Sequence, residues 1–276
     1  MATNFAEKYA SKVDERFRIG AMTTPAINNE YDWCGVNTVN VYSIPTVAMS
    51  NYEMTGTARY GSPDELNAGI QNLTLQNDRA FTFTIDRRNF ESNMMATEAG
   101  KALARQVDEV AIPEIEKYRI LRMASGSGIK SDPVPITPHN AYDCFLDANN
   151  TLTENKVPFS GRIAIIPPKF YKNIKLDPSF IRSCDLAQDM LVTGQVGMID
   201  GVPLILVPGS YFPDETLGFL LLHPSAVVSP VKLCEYKIHD NPPGINGWLV
   251  EGRIVYDCFV LDSKKNGVYA HVDRQA

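Results

Sequence analysis

A surplus of positive charge is absent from this 276-residue chain: 26 lysines and arginines stand against 32 aspartates and glutamates, a formal net charge of −6. Nor does a basic arm offset an acidic body. Residues 1–124 carry 13 basic and 16 acidic side chains, residues 125–224 carry 7 and 10, and residues 225–276 carry 6 of each. Gripping phosphates needs a local cluster of lysine and arginine, so tight nucleic-acid binding is not expected, although surrounding nucleic acid stays open. Paired cysteines are lacking too. Cys34, Cys144, Cys184, Cys234 and Cys258 are odd in number, widely spread and without a C-x-x-C pair, which fits neither a disulfide framework nor a zinc site. The longest apolar run, 217–222, is far short of the ~20 residues that cross a bilayer. Glu7 and Lys8 fall where a signal peptide would have its apolar stretch. These absences predict a soluble protein kept in a reducing cytoplasm, with no membrane partner.

Recognisable catalytic patterns are also scarce. His139, His223, His239 and His271 sit at predicted element ends without a second ligand at metal spacing, and read as caps and turn residues. Ser125, Gly126, Ser127 and Gly128 look superficially phosphate-binding, but they follow a helix and lack the third glycine and a Lys-Ser/Thr pair, so they read as a helix stop and hinge. Asp108/Glu109 and Glu114/Glu116 lie three or four residues from Arg105, Lys117 and Arg119, which predicts ordinary ion pairing on a charged helix face. Ser225 near His223, and His239 beside Asp240, are the only hints of a nucleophile set, and no G-x-S-x-G occurs. No catalytic, cofactor-binding or metal-binding residue is assigned.

What is present is a 44% apolar, 21% charged composition, ordinary for a globular chain of about two domains. Phe5, Tyr9, Val13 and Phe17 recur every fourth residue and predict a helix over 4–18 with one apolar stripe. An aperiodic, Asn-rich stretch over 19–35 puts that helix on an extended arm. Residues 36–44 and 73–85 read as strands, the second alternating Phe81, Phe83 and Ile85 with Thr82 and Thr84. Between them lies a turn-rich excursion far longer than the ~4–6 residues usual for a loop, which makes a hairpin arm that is disordered or lies on something else.

Helical spacing from Met95 through Ala99, Leu103, Val107, Ala111, Ile115 and Tyr118 predicts one helix over 89–123, with Asn89 as N-cap and a kink at Pro113. At 1.5 Å per residue it would run roughly 50 Å, a spine. A Gly/Ser/Pro-rich joint follows. Then come a helix from Thr137 and Pro138 to 154, a buried strand at 162–166, a short helix at 168–175, a hairpin around Asp200 and Gly201, and a buried strand at 217–222. Strand patterns return at 231–238, 248–261 and 268–271. Asn241, Pro242, Pro243 and Gly244 read either as a plain connection or as a preorganised contact loop, because prolines reduce the entropy lost on docking.

This order of elements, with the stretches EKYASKVDERF (7–17), FTFTID (81–86), AGKAL (99–103), DPSF (177–180) and YKIHDNPPGINGW (236–248), resembles major capsid proteins of tailed phages of the Hong Kong 97 type, in particular those infecting Gram-positive bacteria. The resemblance implies an α+β fold: an N-arm (1–35), an extended loop (36–88), a peripheral domain (89–138 and 231–276) and an axial domain (139–230). It implies a structural protein with no cofactor, assembled in the host cytoplasm into hexamers and pentamers of an icosahedral virion shell around double-stranded DNA. Its implied partners are further copies of itself, a separate scaffolding protein, and portal and head-completion proteins. Candidate inter-subunit contacts are Phe5, Tyr9, Val13, Phe17, Tyr52, Arg59, Tyr60, Asn241, Pro242, Pro243, Gly244 and Ile245. Some members cross-link a loop lysine to a neighbour's asparagine, but no lysine occurs between Lys12 and Lys101, so a non-covalent shell is expected. With the arm helix starting near Met1, no large N-terminal processing is expected either. An encapsulin-type nanocompartment shell and a cytosolic α/β enzyme are the alternatives.

Overall fold

The computed structural model describes residues 21–31, 33, 38–43, 46–57, 59–62, 65, 69–86, 106–183, 197–213 and 216–273. The predicted arm helix over 4–18, and the first part of the predicted spine with its cap at Asn89, lie outside these residues. The chain divides into two compact units, Trp33–Leu75 and a larger one formed by Met1–Asp32 with Gln76–Ala276.

In the small unit β1 (Thr38–Ser43) pairs antiparallel with β2 (Gly69–Thr74), from Thr38 opposite Thr74 to Ser43 opposite Gly69. The predicted strand over 73–85 is in fact two strands: β2 ends at Thr74, and β3 (Asn77–Asp86) enters a different sheet of the larger unit. The break coincides with a long-range hydrogen bond. The Gln76 N–H donates to the Asp257 carboxylate at 3.0 Å, so the backbone there turns to a side chain and leaves the β2 ladder.

In the larger unit, the chain next forms a π-helical turn at Val107–Ala111 and helix α1 (Ile112–Ser125). Pro113 has no N–H to offer the carbonyl four residues back. The Ile112 N–H instead reaches five residues back to Val107, so the expected kink takes the form of a widened turn. A short strand β4 (Ile129–Lys130) precedes α2 (Ala141–Glu154), which starts later than Thr137 because the Asn140 side chain closes a turn first, accepting from the Thr137 N–H at 2.7 Å. Then follow β5 (Ile163–Ile166), α3 (Pro168–Leu176), α4 (Pro178–Ser183), β6 (Met198–Ile199), β7 (Val202–Leu206) and β8 (Leu217–Leu222). Asp200 and Gly201 take φ of 47° and 75° between β6 and β7, the left-handed pair a two-residue hairpin requires. The chain closes with β9 (Val227–Val228), β10 (Val231–Asp240), β11 (Gly247–Tyr256), β12 (Phe259–Val260) and β13 (Val268–Val272).

Among the described residues these strands make a mixed six-stranded sheet, β4-β13-β8-β5-β7-β6, an antiparallel three-stranded sheet, β10-β11-β3, and the small pair β12-β9. The six-stranded sheet is covered on both faces, which explains the unbroken apolar runs of β5 and β8. Ala164, Ile166, Phe219 and Leu221 point toward Phe145 and Leu152 of α2 and Phe170 of α3. Ile163, Ile165, Leu220 and Leu222 point the other way, toward Ile120 and Met123 of α1. The first half of α1 instead packs on the three-stranded sheet, with Ile112 against Val250 and Ile115 against Ile254 and Tyr256. One helix therefore serves two sheets. The closing strand β13 pairs with β8 and so joins the sheet built from 163–222.

Two expectations about single side chains also fail. His271 lies mid-strand, buried, with its ring stacked on Phe219 at 5.0 Å, so it is neither a cap nor a turn residue. Glu116 and Arg119 do pair at 3.2 Å, but both are buried and not on a charged surface face.

Candidate functional site

The end of the small unit is a loop closed on itself. The Glu53 N–H donates to the Arg59 carbonyl at 3.0 Å, Ser50 Oγ donates to the Tyr60 carbonyl at 2.8 Å, and Arg59 Nε donates to the Gly56 carbonyl at 3.2 Å. Gly61, at φ 83°, also lets the chain come close, since a Cβ there would sit 2.7 Å from Ser50 Oγ. These bonds bring the predicted contact residues Tyr52, Arg59 and Tyr60 together, and the two rings meet edge to face at 5.1 Å. The pair stays in solvent: Tyr60 is 84% exposed, with Met54 at 84% and Met49 at 100% in the same segment. Tyr42, Val47 and Ile70 of the same unit are exposed too. None of these last five was expected from the sequence, although the presence of only four charged residues (Glu53, Arg59, Asp64 and Glu65) in the 43 from Trp33 to Leu75 was a legible signal.

The second predicted contact loop joins β10 to β11. The Ile245 N–H donates to the Pro242 carbonyl at 3.1 Å, and the Asn241 N–H to the Gly247 carbonyl at 2.8 Å. Pro243 and Gly244 are the central residues of this turn, and Gly244 has φ 84°, the arrangement that proline followed by glycine favours. Asn241, Pro243 and Gly244 are exposed, while Pro242 and Ile245 are half-buried. Phe5, Tyr9, Val13 and Phe17 lie outside the described residues.

A buried polar network anchors the segment after the arm. Thr23 donates its N–H to Glu116 at 3.1 Å and its hydroxyl to the same carboxylate at 2.7 Å; Arg119 reaches Glu116, Thr23 and, at 2.8 Å, Ser229. The Ser229 hydroxyl donates on to the Asp257 carbonyl, and the Asp257 carboxylate accepts from Tyr118, Cys258 and Gln76. Burial pulls the Arg119 pKa down, opposed by the Glu116 charge. Ala26 and Ile27 pack in the same core, and the Asn28 N–H donates to the Val227 carbonyl. Sequence reasoning missed Asp257, whose one visible trace is a charged residue interrupting an apolar strand pattern.

Among the described residues reactive groups do not converge. His223 meets Ser225 Oγ at 2.8 Å, but its other nitrogen faces the Ser160 carbonyl and no carboxylate, so it caps a short helical turn. His239 pairs across strands with Glu251 at 3.1 Å. Burial pushes the Cys144 thiol up to about 11 and the Cys258 thiol up to about 12, which keeps both protonated and unreactive. A shallow depression of about 320 Å³ over Ala80, Thr82, Glu251 and Arg253 is open to solvent, and Arg253 is engaged by Asp78. Among the described residues no group of three metal-ligating side chains occurs, and no helix is long and apolar enough to cross a membrane.

Backbone comparison supplies what local chemistry does not. A solved structure from Mycobacterium phage Che8 is similar over 91% of this chain and 90% of its own, with TM-score 0.68 and 18% identity. The capsid structure of Cyanophage P-SCSP1u is similar over 87% and 84%, with TM-score 0.64 and 12% identity. The chain has a phage-capsid fold. A virus-like particle from Pyrococcus furiosus shares it over 98% of this chain and 100% of its own, at TM-score 0.59 and 12% identity. No protein-family model and no curated protein matches the sequence. At such identities the likeness resides in the path of the backbone.

Proposed function

We propose that this chain is the major capsid protein of a tailed phage, a non-catalytic subunit that assembles as hexamers and pentamers into an icosahedral head around double-stranded DNA. The observation that carries the reading is the likeness to phage structures over about nine tenths of both chains. The small unit supports it: a loop ordered by its own hydrogen bonds, yet presenting Tyr52, Tyr60, Met49 and Met54 to water, gains its apolar burial from a neighbouring copy. In this reading residues 1–35 are the N-arm, 36–88 the extended loop, 89–138 and 231–276 the peripheral domain, and 139–230 the axial domain. The turn at 241–245 makes a second contact between copies, and the near-neutral, slightly acidic wall holds DNA without gripping it. A scaffolding protein, a portal and head-completion proteins act as separate partners in the host cytoplasm.

Electron cryomicroscopy of the expressed chain, alone and with its scaffold, tests this. Closed shells are expected; only monomers and small oligomers under both conditions would sink the reading. The virus-like particle match makes an encapsulin-type shell the second reading, and the contents of purified particles decide, DNA for a phage head and an enzyme cargo for a nanocompartment. A ladder of covalent oligomers on a denaturing gel would overturn the non-covalent shell.

A further inference from the structure

The tip of the small unit holds two thioethers in water. Met49 is fully exposed and Met54 84% exposed, whereas Met123 in the core of the larger unit is at 0%. Met49 precedes and Met54 follows Tyr52 in a loop fixed by its own hydrogen bonds and by the Tyr52–Tyr60 pair, so the backbone that carries them is set while their surroundings are left open. Methionine is unbranched and polarisable, and fills irregular apolar contacts well. The same side chain becomes polar once its sulfur is oxidised, and burying an unpaired polar group costs free energy.

We infer that Met49 and Met54 form an oxidation-sensitive contact, modified by peroxide in the free subunit, where modification blocks assembly, and shielded once a second copy covers the tip. This rests on the shell reading above. The step is a two-electron oxygen transfer. The peroxide O–O bond breaks, an S–O bond forms on the thioether, sulfur is oxidised to the sulfoxide, and hydrogen peroxide leaves as water. No thiolate takes part, and the described cysteines are buried with raised pKa values.

The test treats free full-length chain and assembled shells with dilute hydrogen peroxide, maps sulfoxides by peptide mass spectrometry, and then follows assembly by sedimentation. Met49 and Met54 are expected to oxidise about ten-fold more slowly in shells than in the free chain, while Met123 stays slow in both. Oxidised chain is expected to lose assembly and to regain it after treatment with the two epimer-specific sulfoxide reductases and a dithiol. The double variant Met49→Leu/Met54→Leu keeps an apolar tip without a thioether, and the shell yield it gives untreated, whatever its size, is expected to be unchanged by peroxide. Equal oxidation of the tip in shells and free chain, normal assembly of oxidised chain, or a leucine variant still blocked by peroxide would each overturn the inference and leave the shell reading standing. Failure of untreated chain to form any shell overturns both.

Discussion

The two units put most of their large apolar residues to opposite uses, although the small one buries Trp33 and Leu73. In the larger one, β5 and β8 are buried on both faces, and Phe219 touches Phe145, Phe170, Tyr269 and His271. In Trp33–Leu75, Tyr42, Val47, Met49, Tyr52, Met54, Tyr60 and Ile70 are all exposed, with only four charged residues in the segment. The difference separates residues that stabilise the fold of one subunit from residues whose burial needs another. A substitution should therefore change either the unfolding of the single chain or the association of chains, seldom both.

The comparison breaks most visibly at the core. Phe219→Ala is expected to destabilise the isolated chain by about 3–5 kcal/mol through lost burial and an unfilled cavity, read from the urea midpoint; a shift near zero would mean that β8 is not a core strand. Glu116→Ala leaves Arg119 buried without its counter-charge and should cost about 3 kcal/mol. Limited proteolysis after residue 20 should then accelerate, since Thr23 loses both its bonds to that carboxylate. Gly244→Ala has open space for the added methyl, so its expected cost of about 1 kcal/mol comes from the left-handed backbone alone.

A pH titration sharpens the same contrast. Burial lowers the His271 pKa, opposed by its bond to the Val134 carbonyl and by the Asp273 charge. Lys169 faces that aspartate from α3, so its charge is already engaged. Because the unfolded chain takes up the proton first, this residue's contribution is complete above about pH 6.5 and is lost as pH falls below it. Urea midpoints at pH 7.5 and 5.5 should differ in that direction, and His271→Gln should shrink the difference. Smallest of all for the single chain is the effect of Tyr52→Ser/Tyr60→Ser at the tip, within about 0.5 kcal/mol. Shell yield should nevertheless fall sharply, because buried aromatic anchors dominate interfaces. Unimpaired assembly of this variant would show that the tip is not a contact.

In the six-stranded sheet β5 and β8 were legible as continuous apolar runs and the 198–206 hairpin because Asp-Gly admits two left-handed residues, whereas β4 falls in the stretch read as a Gly/Ser/Pro-rich joint. The Pro-Gly turn at 242–245 was visible for the same kind of reason. The division of 73–85 into two strands was not read from the sequence, although the polar run Gln76-Asn77-Asp78-Arg79 interrupts the alternation just where the Gln76 N–H turns to the remote Asp257 carboxylate. Nor was the burial of Glu116 and Arg119, whose three-residue spacing is identical on a wet or a dry helix face.

By itself the sequence determined the local elements, the near-absence of charge in the extended segment, and the lack of any concentrated positive or thiol chemistry. These depend on neighbours along the chain, where period, turn geometry and composition act directly. Only the tertiary structure decided which helix face is dry, that one helix serves two sheets, and that His271 sits in the core. Each of these depends on residues brought together from distant parts of the chain, and burial, which sets the energetic weight of a charge or a ring, exists only once they meet.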